Sequence, residues 1–425
     1  MKVSARSRYL ALLPPCLLIA SFLLAWPGEV QAVACDRDAE LQSGAPDAHD
    51  SSPVSFTASE DKPLGDHYLL LVNTALAPLM TPEKLSEFDK SPYDGIAVAF
   101  WHAYDSSKVP STLEMSSKIS GWRQYTKKDI WPWIYINRIL GADDSEAGEF
   151  SHYSRESPYF HKIQGADLDD KAGAMSEFLQ FWRNNLRAAK DSHAPGVIVD
   201  LEFYNYHKEY DVAVLAQQIG KSPQETVRDL HQLGFRLADI AAEEYPQAVL
   251  WFFFTGFAYP EFSTIGDQRG YGSPAYIAMG MLDEIQSKHF HIKVLSGGET
   301  TLGYCHDSLQ QFQDAIQKRA VKYAPHLQKY QGALELAGTM TLWRDHAGLN
   351  GWAKGLSCWT SPVPAVEELQ PYVELLLRSY RYNWIYAASE VSYFPFQPES
   401  AARFNAVINK AKSHASQAPA PQKAH

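Results

Sequence analysis

Cysteine is scarce in this chain, with four in 425 residues, at positions 16, 35, 305 and 358. Positive charge is in deficit too: 38 Lys and Arg stand against 49 Asp and Glu, and no basic patch or stripe is evident. A net charge of −11 argues against a nucleic-acid partner, which would need such a stripe. Motifs that carry common chemistries are missing as well. There is no G-x-S-x-G nucleophile elbow, no G-x-G-x-x-G or full G-x-x-x-x-G-K-[ST] phosphate loop, and no H-E-x-x-H zinc spacing. The short HFH run at 289–291 precedes a strand, the wrong end for a metal site. No metal and no cofactor is therefore expected. No 20–50-residue repeat occurs, which excludes a solenoid.

The first residues have the composition of an export signal. Lys2, Arg6 and Arg8 precede the apolar run LALLPPCLLIASFLLAW, which leads to small residues in VQAVAC. Cleavage after Ala32 or Ala34 is expected, and removal of residues 1–34 leaves a net charge of −13. Cys16 leaves with the signal. Of the remaining three, Cys305 and Cys358 can pair, and Cys35 stands at the cut. AVAC resembles the lipobox of bacterial lipoproteins, in which that cysteine is acylated. Three forms stay open: a periplasmic or cell-surface lipoprotein anchored through Cys35, a freely secreted protein, or a chain whose apolar run stays as a membrane-spanning anchor. Residues 35–63 are polar and aperiodic and read as a flexible tether; residues 413–425 read as a disordered tail.

Between them, over 64–412, strand-like and helix-like segments alternate. The strand-like runs are 67–75, 94–101, 130–137, 196–202, 248–256, 291–297, 338–344 and 383–390. Each is apolar throughout rather than alternating, as strands are when both faces are covered in a parallel sheet. Helical spacing follows at 81–88, 171–190, 222–245, 273–289, 306–324, 366–381 and 398–415, and weakly at 110–127. Eight strand–helix units imply an α/β fold, a (β/α)8 TIM barrel forming one large catalytic domain.

In such a barrel the carboxyl ends of the strands form the active face. The run GVIVDLE ends there with Asp200 and Glu202. A spacing of two puts both side chains on one face, with Cα atoms roughly 6.5 Å apart. Two carboxyls so close do not both ionise freely. A carboxyl that retains its proton near neutral pH can protonate the leaving oxygen of a glycoside. The competing reading is that the two acids bind an arginine, Arg138 being the obvious partner, or a structural metal.

VIVDLEFYN resembles the D-x-E motif at a barrel strand end in several glycoside hydrolase groups, the chitinase-like and hyaluronidase-like among them. The resemblance implies that Glu202 is the general acid and that Asp200 orients or stabilises a substrate N-acetyl group. The longer D-x-x-D-x-D-x-E run of chitinases is absent, since Val197 and Ile198 precede Val199.

A second carboxylate could take the place of a substrate nucleophile. Glu299 follows the sixth strand in SGGET, Asp345 the seventh in LWRDH, and Glu390 ends the eighth. Trp101 and His102 follow the second strand, Asn137 and Arg138 the third, and Tyr204 the two acids. Rings stack on the C–H faces of sugars, and amides and guanidinium groups bind hydroxyls. Together these residues imply a monomeric, exported glycoside hydrolase acting on a polysaccharide or glycan. The alternatives are a non-catalytic carbohydrate-binding barrel at the cell surface and a metal-dependent hydrolase.

Overall fold

The computed structural model describes residues 67–76, 80–100, 109–135, 174–201, 211–258, 263–265, 268–302, 306, 308–341, 366–387 and 398–417. The chain divides into two units, Met1–Asp61 and Lys62–His425, and every described residue belongs to the second. No helix among the described residues is long and apolar enough to cross a membrane.

Eight strands close a parallel barrel: β1 (Tyr68–Leu76), β2 (Gly95–Ala99), β3 (Asp129–Tyr135), β4 (Gly196–Asp200), β5 (Val249–Phe252), β8 (Lys293–Ser296), β9 (Leu334–Thr341) and β10 (Tyr382–Ala387). Each pairs with its sequence neighbour, and β10 closes on β1, with Tyr68 opposite Tyr382. This is the (β/α)8 barrel that the alternation implies. The two remaining strands, β6 (Ser263–Ile265) and β7 (Gln268–Gly270), form an antiparallel hairpin in the connection after β5.

Rings fill the interior in layers. Register aligns Trp131 with Ala97, Trp133 with Ile198, and Ile198 with Trp251. In the lower layer Trp131 meets Trp251 edge-on at 5.6 Å, flanked by Tyr68 and Tyr382. In the upper layer Phe253 stacks on Trp384 at 4.4 Å and meets Trp133 at 5.2 Å. The amino-terminal end is closed by polar pairs. The Tyr68 hydroxyl donates to Asp129 (2.8 Å), and Lys293 pairs with Glu335 (3.0 Å).

That last pair explains one shifted boundary. The seventh strand starts at Leu334 rather than 338, because inward-facing Glu335 interrupts the apolar run that marks a strand. Pro325 does not end its helix, which runs Leu309–Lys329. A proline deprives the carbonyl four residues earlier of its donor. That carbonyl belongs to Val321, whose side chain is three-quarters exposed. The last helix, Pro398–Gln417, continues past the expected barrel end at 412, and Ala415 is buried. Lys412 fastens it by donating to Pro92 O (2.8 Å) and pairing with Asp94 (2.6 Å).

Candidate active site

All eight strands are parallel, so their carboxyl ends share one rim. Asp200 closes β4 there. It is aligned with Tyr135 of β3, on the same face of β4 as Ile198, and so faces the barrel axis. Below it lie the upper ring layer and a fixed backbone carbonyl: the Trp384 indole N–H donates to Gly297 O at 2.9 Å. Asp200 is 1% exposed, a buried acid at the end of a wholly apolar strand. Packing alone does not call for a carboxyl there, since burying one is costly without polar partners.

Glu299 reaches the same rim from β8. Backbone hydrogen bonds link the ends of three strands: Phe253 N–H donates to Val199 O (3.1 Å), Gly297 N–H to Phe252 O (2.6 Å) and Glu299 N–H to Phe253 O (3.0 Å). Only β5 separates Asp200 from Glu299, and strands two apart lie about 10 Å from each other at the backbone. Glu299 opens a short helical turn, Glu299–Leu302, which follows Gly298 at φ 87°.

Of the other candidates, Trp101, His102, Asn137, Arg138, Glu202, Tyr204, Asp345 and Glu390 lie outside the described residues. The strands that precede them in the sequence do end at this rim, at Ala99, Tyr135, Asp200, Thr341 and Ala387.

Several rings that sequence reasoning did not assign to the site form its floor. Trp133, Phe253 and Trp384 face the axis beneath the acids, and Tyr386, half-buried, stands one step above Trp384. Their signal was present in the sequence: WPW at 131–133 and WIY at 384–386 place two rings on one strand face. Two further elements were not foreseen. The helix Val212–Ile219 is capped by Asp211, whose carboxyl accepts from Ala213 N–H (2.8 Å), and ends at left-handed Gly220. Its first N–H donates to the Ser263 hydroxyl oxygen (3.0 Å), which ties it to the β6–β7 hairpin.

Fold and rim together define a (β/α)8 barrel with acids at its carboxyl-end mouth. No protein-family model matches the sequence, and no curated protein does. Among solved structures, the chain is similar to a sugar phosphate isomerase/epimerase from Parabacteroides distasonis ATCC 8503, at 7% identity and a TM-score of 0.37, covering 87% of this chain and 100% of that one. It is also similar to a Bacteroidetes-affiliated GH5 cellulase linked with a polysaccharide utilization locus, at 8% identity and a TM-score of 0.45, covering 86% and 97%. Endo-glycoceramidase II from a Rhodococcus species is similar at 12% identity and a TM-score of 0.46, covering 83% and 81%. These likenesses concern the fold alone. The neighbours include both glycoside hydrolases and sugar isomerases or epimerases.

Proposed function

We propose that the chain is an exported glycoside hydrolase that cleaves bonds in a polysaccharide or glycan by carboxylate acid–base catalysis. The observation that carries this reading is Asp200: a buried acid facing the barrel axis at the carboxyl end of β4, above a floor of rings. Glu202 follows it by two residues in the sequence. In the proposed reaction Glu202 donates its proton to the glycosidic oxygen as the C–O bond breaks. Asp200 is the neighbouring charge that keeps the proton on Glu202 until then. A second carboxylate, Glu299 or Glu390, meets the positive charge developing at the sugar carbon, either directly or by activating water. Trp101, His102, Asn137, Arg138, Tyr204 and Asp345 would hold the sugar. Export and the lipid on Cys35 belong to the same proposal.

The test is hydrolysis of a panel of polysaccharides, with and without a chelator. Release of reducing ends that a chelator leaves unchanged is the expected result. Binding without cleavage would replace the enzyme with a carbohydrate-binding barrel. Activity abolished by the chelator would point to a metal-dependent hydrolase.

A further inference from the structure

A buried cation lies against the residue that precedes one of the two acids described at the rim. Arg319, on the helix Leu309–Lys329, is 1% exposed. Its Nη1 donates to Ala337 O and its Nη2 to Ser296 O, both at 2.6 Å. The rings of Tyr323 and Tyr380 flank its Cζ at 5.3 and 5.2 Å. Among the described residues its hydrogen bonds go to carbonyls alone, and its Nε has no partner. A positive charge so placed is costly unless an anion lies near.

Glu299 is the acid that the chain brings there. A Cβ on Gly298 would stand 2.8 Å from Arg319 Cζ, so the guanidinium presses on the residue before Glu299. The Glu299 Cα is about 3.8 Å further along the chain. The Glu299 backbone is pinned to Phe253 O, and its Oε2 is buried. The two carbonyls that Arg319 grips belong to β8 and β9, so the same side chain also sets the height of the turn.

We propose that Arg319 is the positioning residue of Glu299. It locks the turn at 296–299 and holds the Glu299 carboxyl in its charged form. Glu299 is then the anionic member of the catalytic set, nucleophile or base, and the proton donor is Glu202, two residues after β4 in the sequence. This deepens the glycoside hydrolase reading and rests on it for the chemical role.

Among the described residues, the other titratable groups around the turn are few. The helix Leu309–Lys329 presents Tyr323 beside Arg319, and Tyr380 precedes β10. The one ionisable residue of β9, Glu335, is paired with Lys293 at the far end of the barrel. β5 carries none. His306 stacks on Phe312, and Asp200 stands across β5. Arg319 is therefore the fixed cation acting on Glu299 among the described residues. In general, a unit charge roughly 7 Å from a carboxyl, at an effective dielectric of about 20, moves it by about one to two pH units.

The experiment is a carbon-13 NMR titration of protein labelled at the glutamate side-chain carboxyls. The Glu299 signal is assigned by its loss in Glu299→Gln. In the native protein Glu299 is expected to titrate below the ordinary glutamate range. Arg319→Gln should raise its midpoint by about one pH unit or more, and Arg319→Lys by less than half as much. A native midpoint at or above the ordinary range would overturn the proposal, whether or not the variants fold. So would an unchanged midpoint in folded Arg319→Gln. Where the polysaccharide assay gives activity, the acidic limb of its pH profile should move up with the midpoint, which lost packing alone would not produce. An absence of glycosidase activity would defeat the functional reading while the titration still decides the role of Arg319.

Discussion

Single residues in this barrel carry electrostatic roles that depend on their immediate partners. Asp283 is the clearest outside the site. Burial pushes its carboxyl up, but hydrogen bonds from His231 (3.0 Å), Lys329 (2.8 Å) and Tyr330 outweigh this and hold it down at about 2. A carboxyl whose folded value lies below its unfolded one stabilises the protein above the unfolded value. That contribution is lost as pH falls from about 4 towards 2. Asp283→Asn should therefore lower the midpoint of urea unfolding at pH 7, and the gap to the native protein should close by pH 2 or so. A gap that stayed constant with pH would mean that Asp283 acts by packing. Glu244 works in the same sense: burial opposes its ionisation, and Arg187 and Arg183 overcome that.

Elements follow from local chemistry where the pattern is strong. Helix Pro223–Glu244 begins where Ser-Pro predicts it: the Ser222 hydroxyl accepts from Glu225 N–H (3.2 Å), and Ser222 N–H donates to the Glu225 carboxyl (2.9 Å). Ser222→Ala removes one half of this reciprocal cap and should cost ~1 kcal/mol in chemical denaturation. A loss below a few tenths would show that helix packing alone sets this end. Close approach completes the element, because a Cβ on Gly234 or Gly280 would collide with the backbone of the facing helix. The barrel strands were legible because both faces are apolar, and the helical spacing at 273–289 matches the helix Ser273–Ser287. Val212–Ile219 was not legible: eight residues are too few to show a helical stripe. The hairpin strands, three residues each, fall below any periodic signal. In the site, Asp200 was legible as an acid ending an apolar run. The ring floor was not read as such, because inward and outward rings are equally apolar in a strand covered on both sides. Arg319 left no trace in the sequence, since its partners are carbonyls brought near by β8 and β9.

At the scale of the whole molecule, the barrel brings the ends of eight strands to one mouth. If Cys35 is acylated, the mature protein should partition into detergent and Cys35→Ser should release it. A mature amino terminus at Val33, unmodified in mass spectrometry, would remove the anchor. The central claim is that Glu202, which follows β4 in the sequence, protonates the leaving group. It is tested most directly by comparing Glu202→Gln with the native enzyme on two substrates, one with a poor leaving group and one an activated aryl glycoside. General acid catalysis contributes about 10²- to 10⁴-fold. A loss in that range on the first substrate and a much smaller loss on the second is the expected result. An equal loss on both would contradict the general-acid role of Glu202.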